Sequence, residues 1–273
     1  MDFVSFGNGD KRLLMIPGLS DGLKTVKGMA AVMATMYKSF AKSHRVYIMS
    51  RKNYLEKGYS TRDMAADYKT ALEKLGISQA DVFGVSQGGM IAQYIAIDYP
   101  VLVEKLVLAV TLSKQNETVQ NVVGNWIKMA EANDYKSIFI DTAEKSFTEK
   151  RLKKYRPLYP LLSKTGKPKS FDRFIIQANA CITHNAYNEL DKIKCPTLVI
   201  GGDSDKVTGP GTSEEIAGKI TNSKLKIFEG YGHGVYDEAK EFNRLVLEFL
   251  NSITNRQSND AGAAVDIVFS TDD

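Results

Sequence analysis

Strand-length apolar runs recur along this chain, and helical periods fill most of the gaps between them. The runs are "DFVSF" (2–6), "KRLLMI" (11–16), "RVYIM" (45–49), "ADVFGV" (80–85), "KLVLAV" (105–110), "TLVIG" (197–201) and "KLKIFE" (224–229). The first two are separated by the turn pair Asn8-Gly9. Between the third and fourth, "TRDMAADYKTALEKLGI" carries apolar residues at Met64, Ala65, Tyr68, Leu72 and Leu75, a helical period with Thr61 as the expected N-cap. "MIAQYIAIDYP" reads as a helix ended by Pro100. A last helix is expected from about Asp237 to Ile253, with Phe242, Leu245, Val246, Phe249 and Leu250 on one face. Strands alternating with helices predict an α/β chain: a mostly parallel central sheet with helices on both faces.

One stretch breaks the alternation. From 113 to 190 the pattern is helical with no clear strand, and it holds Trp126, the only tryptophan, and the basic run "EKRLKKYRPLYP". Residues 1–112 and 191–253 are therefore expected to form one core, with 113–190 as an inserted helical cap or lid. The tail, 254–273, is polar until "AVDIVF" and is expected to be mostly flexible, with an added edge strand at "VDIVF" as the alternative.

Composition excludes several classes. The chain has 273 residues, 43% apolar and 25% charged, as soluble globular enzymes do. Its apolar runs are too short to span a bilayer, and "MDFVSFGNGD" lacks the basic start and apolar core of a signal peptide, so a cytoplasmic protein with no membrane partner is expected. Cys181 and Cys195 are too few for a disulfide framework and are expected as reduced structural thiols. A net charge of +4 is too small to argue nucleic-acid binding. Oligomeric state is not legible.

Gly84-Val85-Ser86-Gln87-Gly88 has the form G-x-S-x-G, and it lies where a strand becomes a helix. A sharp strand-to-helix turn holds its serine in a strained conformation, and small neighbours avoid clashes. The hydroxyl then stands clear of the sheet at a helix N-terminus, where free N–H groups favour a developing negative charge.

A serine hydroxyl needs a base to become a nucleophile. Of the three histidines, His44 precedes a strand and His184 ends the insertion, places that suit solvated or structural roles. His233, in "GYGHGVYDE", follows a strand and precedes the last helix, on the side of a parallel sheet where sites form. The histidine needs a carboxylate to hold its tautomer. Asp203 and Asp205, in "TLVIGGDSDKVTG", both lie just past a strand. The chain order is then serine, acid, histidine.

With these motifs the chain resembles the α/β-hydrolase superfamily, through "GVSQGGMIAQ", "CPTLVIGGDSD" and "GHGVYDEAKEFNRLVLEFL". The resemblance covers about 3–112 and 190–252, and the insertion falls at that family's cap position. It implies a G-x-x-D acid, which Gly202 to Asp205 fits, and so favours Asp205 over Asp203. It also implies an oxyanion hole from the backbone N–H of Gln87 and of Leu19, in "MIPGLSDG". Pro17 stands where the family's loop usually has a histidine, which bears on the loop's supporting hydrogen bonds but not on the Leu19 donor. Ser20 and Asp21, in the same loop, and Trp126 are further candidates to face the pocket.

Ser86 argues against the relatives with an aspartate nucleophile, haloalkane dehalogenases and epoxide hydrolases. No metal cluster is present in the sequence and none is needed, and the glycine-rich pieces lack phosphate-loop spacing, so no cofactor is expected. The expected protein is a serine hydrolase acting on a small-molecule ester, thioester or lactone. The alternatives are a small-ligand receptor on the same scaffold, a carbon–carbon bond hydrolase, or a perhydrolase. The stretch 113–190 carries 13 Lys and Arg against 8 Asp and Glu, a balance that would favour anionic substrates.

Overall fold

The structure, a computed structural model, describes residues 1–253. The sequence readings of 254–273, flexible tail or added strand, lie outside the described residues.

Residues of β1 (Phe3–Phe6), β2 (Lys11–Ile16), β3 (His44–Met49), β4 (Ala80–Val85), β5 (Val103–Ala109), β6 (Thr197–Gly202) and β7 (Ser223–Phe228) form one seven-stranded sheet. Its order is β1-β3-β2-β4-β5-β6-β7, and every neighbouring pair is parallel except β1 with β3. The strands on either side of Asn8-Gly9 are thus not a hairpin, because β3 lies between them.

The helices are α1 (Ala30–Met36), α2 (Thr61–Lys74), α3 (Gln87–Asp98), α4 (Glu117–Glu131), α5 (Tyr135–Ser146), α6 (Glu149–Tyr155), α7 (Tyr159–Leu162), α8 (Asp172–Thr183), α9 (Thr212–Ala217), α10 (Val235–Glu238) and α11 (Phe242–Asn251). Side chains alternate across a strand, and β2 shows why both faces of the sheet must be covered. Leu14 and Ile16 join one apolar cluster with Met64, Tyr68 and Leu72 of α2 and Ile91 and Ile95 of α3. Leu13 and Met15 join another with Phe242, Val246 and Leu250 of α11.

Two helix boundaries differ from the sequence reading. The N-cap of α2 is Ser60, not Thr61: Ser60 Oγ accepts from the Asp63 N–H while Asp63 Oδ2 accepts from the Ser60 N–H. That reciprocal pair is a capping box, which fixes the start one residue earlier. The last helix is interrupted between Glu238 and Phe242. Its first turn is held elsewhere, Asp237 by Arg151 and Glu238 by the N–H and hydroxyl of Thr148. The periodic face of α11 is otherwise as its sequence indicates, with Phe242, Val246 and Leu250 buried. Its C-terminus is held by the buried Lys105 Nζ, which donates to the carbonyls of Phe249 and Leu250 at 3.0 Å, a cation where the helix dipole favours one.

Helices α4–α8 lie between β5 and β6. They enclose a third apolar cluster, in which Val119, Val123, Trp126, Phe174 and Ala178 pack with Leu19 and Met90 of the core. The neck is closed by an antiparallel bridge between Lys114 and Asn185 and by the Ala186 N–H donating to Ser113 O at 2.7 Å. No helix among the described residues is long and apolar enough to cross a membrane.

Candidate active site

Chain order in the sheet locates the site. From β2 the chain runs outward to β3, then returns to the other side of β2 to form β4. Such a reversal leaves a crevice at the carboxyl ends of the two central strands. The loop after β2 carries Gly18 and Leu19, and the turn after β4 carries Ser86.

Ser86 has φ 54° and ψ −120°, a conformation that costs a non-glycine residue on the order of 1–3 kcal/mol. Gly84 and Gly88 are required by close approach. A Cβ on Gly84 would lie 2.4 Å from Gly88 O, and one on Gly88 would lie 2.0 Å from Ile16 O. The turn is secured on both sides: Ser86 N–H donates to Ala109 O at 2.9 Å, and Thr111 Oγ1 donates to Ser86 O at 2.8 Å. Val110, beside it at the end of β5, also has a positive φ, 45°, so strained backbone gathers at this edge of the sheet.

The Ser86 hydroxyl is half-buried and lies 3.0 Å from His233 Nε2. His233 Nδ1 lies 2.8 Å from Asp205 Oδ2. With Nδ1 protonated and donating to Asp205, Nε2 is left to accept from serine. Asp205 is 4% exposed and fully engaged. Its Oδ1 accepts from the N–H groups of Val207 and Thr208, and its Oδ2 accepts from Thr208 Oγ1 as well as from His233. Burial pushes this carboxyl up, but the nearby imidazole and these hydrogen bonds outweigh it and hold it below the usual carboxylate range. Asp203, the other candidate, is exposed and binds Ser204 Oγ and the Gly230 N–H as a turn residue.

Leu19 and Gln87 each open a helical turn, positions whose N–H groups lack an intrahelical partner. A Cβ on Gly18 would lie 3.4 Å from Ser86 Cβ, which measures how closely the Leu19 loop approaches the serine. The other candidates divide. Ser20 is exposed. Asp21 is buried, and its Oδ2 receives Arg173 Nη2 at 2.5 Å and lies 3.5 Å from Arg51 Nη1. Trp126 is buried in the cluster that includes Leu19, and its indole N–H donates to Asp141 Oδ2 at 2.7 Å.

The remaining histidines are both buried. His184 Nδ1 lies 2.9 Å from Thr61 Oγ1, and burial pushes its pKa down to about 3. His44 lies 3.0 Å from Asp81 and is not solvated. Both cysteines are free, and burial pushes Cys181 up to about 12 and Cys195 to about 11, so neither is a reactive thiolate. Of the basic run, Arg151 pairs with Asp237 and Arg156 with Glu144 and Glu149.

Sequence reasoning missed Arg51, Arg173 and Thr208. Arg51 stands two residues past the C-terminal end of β3, the same kind of position that singled out Asp205 and His233.

Comparison with known proteins bears on the family and the fold. The family model for the alpha/beta hydrolase fold matches residues 12–240, and the chain belongs to that family. It is 25% identical over 265 residues to a 2-hydroxy-6-oxononadienedioate/2-hydroxy-6-oxononatrienedioate hydrolase of a Pseudomonas species, covering 89% of each chain. Similar folds include the enol-lactonase of Burkholderia xenovorans LB400, with TM-score 0.79, 17% identity and coverage of 92% and 96%. Another is MGS-M2, an alpha/beta hydrolase from a Medee basin deep-sea metagenome library, with TM-score 0.78, 23% identity and coverage of 93% and 94%. The chain is accordingly an enzyme of the α/β-hydrolase class.

Proposed function

We propose that this enzyme is a serine hydrolase that cleaves a small carboxylic ester, or a related thioester or lactone, through an acyl-enzyme. The observation that carries this reading is the strained Ser86, whose hydroxyl lies 3.0 Å from a histidine that is itself tied to a buried carboxylate. Ser86 Oγ attacks the substrate carbonyl while His233 Nε2 takes its proton. The Asp205 carboxylate holds the imidazole tautomer and stabilises its cation. The oxyanion is held by the N–H groups of Leu19 and Gln87. His233 then delivers the proton to the leaving group, and water, deprotonated by the same histidine, releases the acid and restores Ser86. Helices α4–α8 act as the cap that sets substrate choice.

A second reading is favoured by the relative named as a 2-hydroxy-6-oxononadienedioate hydrolase: attack on a carbon–carbon bond beside a carbonyl. A panel of p-nitrophenyl esters of graded chain length, thioesters, lactones and a 2-hydroxy-6-oxodienoate separates these. The first reading expects multiple turnover on at least one acyl substrate. Turnover on the dienoate alone would favour the second. Activity appearing only with added hydrogen peroxide would indicate a perhydrolase, and binding without turnover would leave the receptor scaffold.

A further inference from the structure

One guanidinium ties together both walls of the proposed oxyanion hole. Arg51 is 1% exposed. Its Nη1 donates to Gly18 O at 3.2 Å, the carbonyl immediately before Leu19. Its Nη2 donates to Gln87 Oε1 at 2.8 Å. The backbone of Leu19 and the first residue of α3 are thus set relative to each other through a rigid planar fork. Pro17, at the position where a histidine would support this loop, has no side chain that can do so.

The same cluster reaches the insertion. Arg173 of α8 donates from Nη2 to Asp21 Oδ2 and, at 3.0 Å, to Arg51 O, and from Nη1 to Asp21 O. Gln87 Nε2 donates to Gln177 O of α8 at 2.6 Å. Asp21 Oδ2 also accepts from the Arg51 N–H at 3.2 Å. Two guanidinium groups therefore face one carboxylate, and Arg51 Nε and Asp21 Oδ1 have no hydrogen-bond partner among the described residues. A buried guanidinium that shares its one carboxylate with a second guanidinium and leaves Nε unpartnered is costly as a purely structural element. Placed against the oxyanion donors, it favours the negative charge that develops there.

We propose that Arg51 is a positioning residue that sets the Leu19 and Gln87 donors in register, and that Arg173 links this setting to the seating of α8, so that the insertion acts on the oxyanion hole and not only on substrate entry. This inference rests on the serine-hydrolase reading above.

The test compares Arg51→Met, Arg51→Lys and Arg173→Gln with the unmodified enzyme. Each is followed by kcat, KM and inhibition by a trifluoromethyl ketone matched to the best ester, with Trp126 fluorescence and thermal unfolding as controls of the fold. Loss of a single oxyanion donor costs about 100- to 1,000-fold, so Arg51→Met is expected to lower kcat by about 100-fold. KM should stay within about threefold, because the interaction matters mainly in the transition state. Affinity for the ketone, which mimics the oxyanion, should fall in parallel with kcat. Arg51→Lys, which keeps the charge but loses the fork, should recover part of the rate. Arg173→Gln, at the partly exposed end of the cluster, should lose about tenfold in kcat through a looser loop, and it carries the test if Arg51→Met does not fold. A folded Arg51→Met enzyme, or in its absence a folded Arg173→Gln, with near-normal kcat and ketone affinity overturns the inference alone, as does a loss confined to KM. An unmodified enzyme with no turnover and no ketone binding overturns the hydrolase reading, and this inference with it.

Discussion

Among the described residues, two serine–histidine–aspartate chains stand at opposite ends of the same sheet. At the carboxyl ends, Ser86, His233 and Asp205 are linked at 3.0 and 2.8 Å. At the amino ends, Ser43 Oγ lies 2.9 Å from His44 Nδ1, and His44 Nε2 lies 3.0 Å from Asp81 Oδ2. Distances barely distinguish them, although the imidazole is reversed, with Nε2 toward Ser86 but Nδ1 toward Ser43. The backbone does. Ser86 is strained and precedes a twelve-residue helix, with the Gly18 loop that follows β2 packed close against it. Ser43 has φ −104°, follows a short 3-10 turn, and its hydroxyl accepts from Asn251 Nδ2. It stands at the C-terminal end of a turn, where carbonyls rather than N–H groups point outward. Ser43 opens no helix whose N–H groups would hold an oxyanion. On the proposed reading a triad is only part of a site, and the helix N-terminus and opposing loop supply the rest.

The largest expected effect is at the two serines. Ser86→Ala should lower turnover on the order of a million-fold with the fold intact. Ser43→Ala should leave turnover near that of the unmodified enzyme. Equal losses in ester-hydrolysis assays would erase the distinction.

The two carboxylates should separate by kind of damage. Asp205→Asn is expected to cost about ten-thousand-fold in kcat through the wrong histidine tautomer. Asp203→Asn, on the exposed turn, should cost far less. Asp81→Asn should leave kcat nearly unchanged but lower stability by about 1–3 kcal/mol, because a buried partner is left poorly satisfied. Thermal melts and kinetics on the same samples check this, and a kcat loss in Asp81→Asn would join the two ends functionally.

His184 shows what burial does without a carboxylate. Its folded pKa is about 3, below the ordinary 6.5, so between those values the unfolded chain binds the extra proton. Stability should therefore fall as pH drops below about 6.5, by up to about 1.4 kcal/mol per unit for this group. Asp205, also depressed, contributes stability above its unfolded value and loses it only as pH falls further, through the folded pKa. Denaturant titrations at a series of pH values should show a shallower acid limb in His184→Gln, and an unchanged limb would remove His184 from the account. The smallest effect is electrostatic. With Arg151 and Arg156 already paired, kcat/KM for a carboxylate-bearing ester should fall only modestly as salt rises, while that for a neutral ester stays flat.

The turn proposed to carry the nucleophile was legible because its physics is local: Gly84, Ser86 and Gly88 lie within one turn. The five inner strands, β2 to β6, were legible because their apolar runs are nearly continuous, as strands buried on both faces require. Asp205 and His233 were legible as strand-end residues, though preferring Asp205 to Asp203 took a family pattern; in the structure Asp205 is the buried one and lies 2.8 Å from His233 Nδ1. The Arg51 cluster was not legible. Its partners lie 30 and more residues away, and no short spacing signals them. The break between α10 and α11 was hidden for the same reason, since Asp237 and Glu238 answer to residues of the insertion.

The central claim is that the carboxyl-end serine alone is activated. Treating the full chain with a fluorophosphonate probe and mapping the adduct by peptide mass spectrometry tests it most directly. The account predicts a single adduct on Ser86, abolished in Ser86→Ala and slowed in Asp205→Asn. An adduct on Ser43, or on any serine other than Ser86, would contradict it.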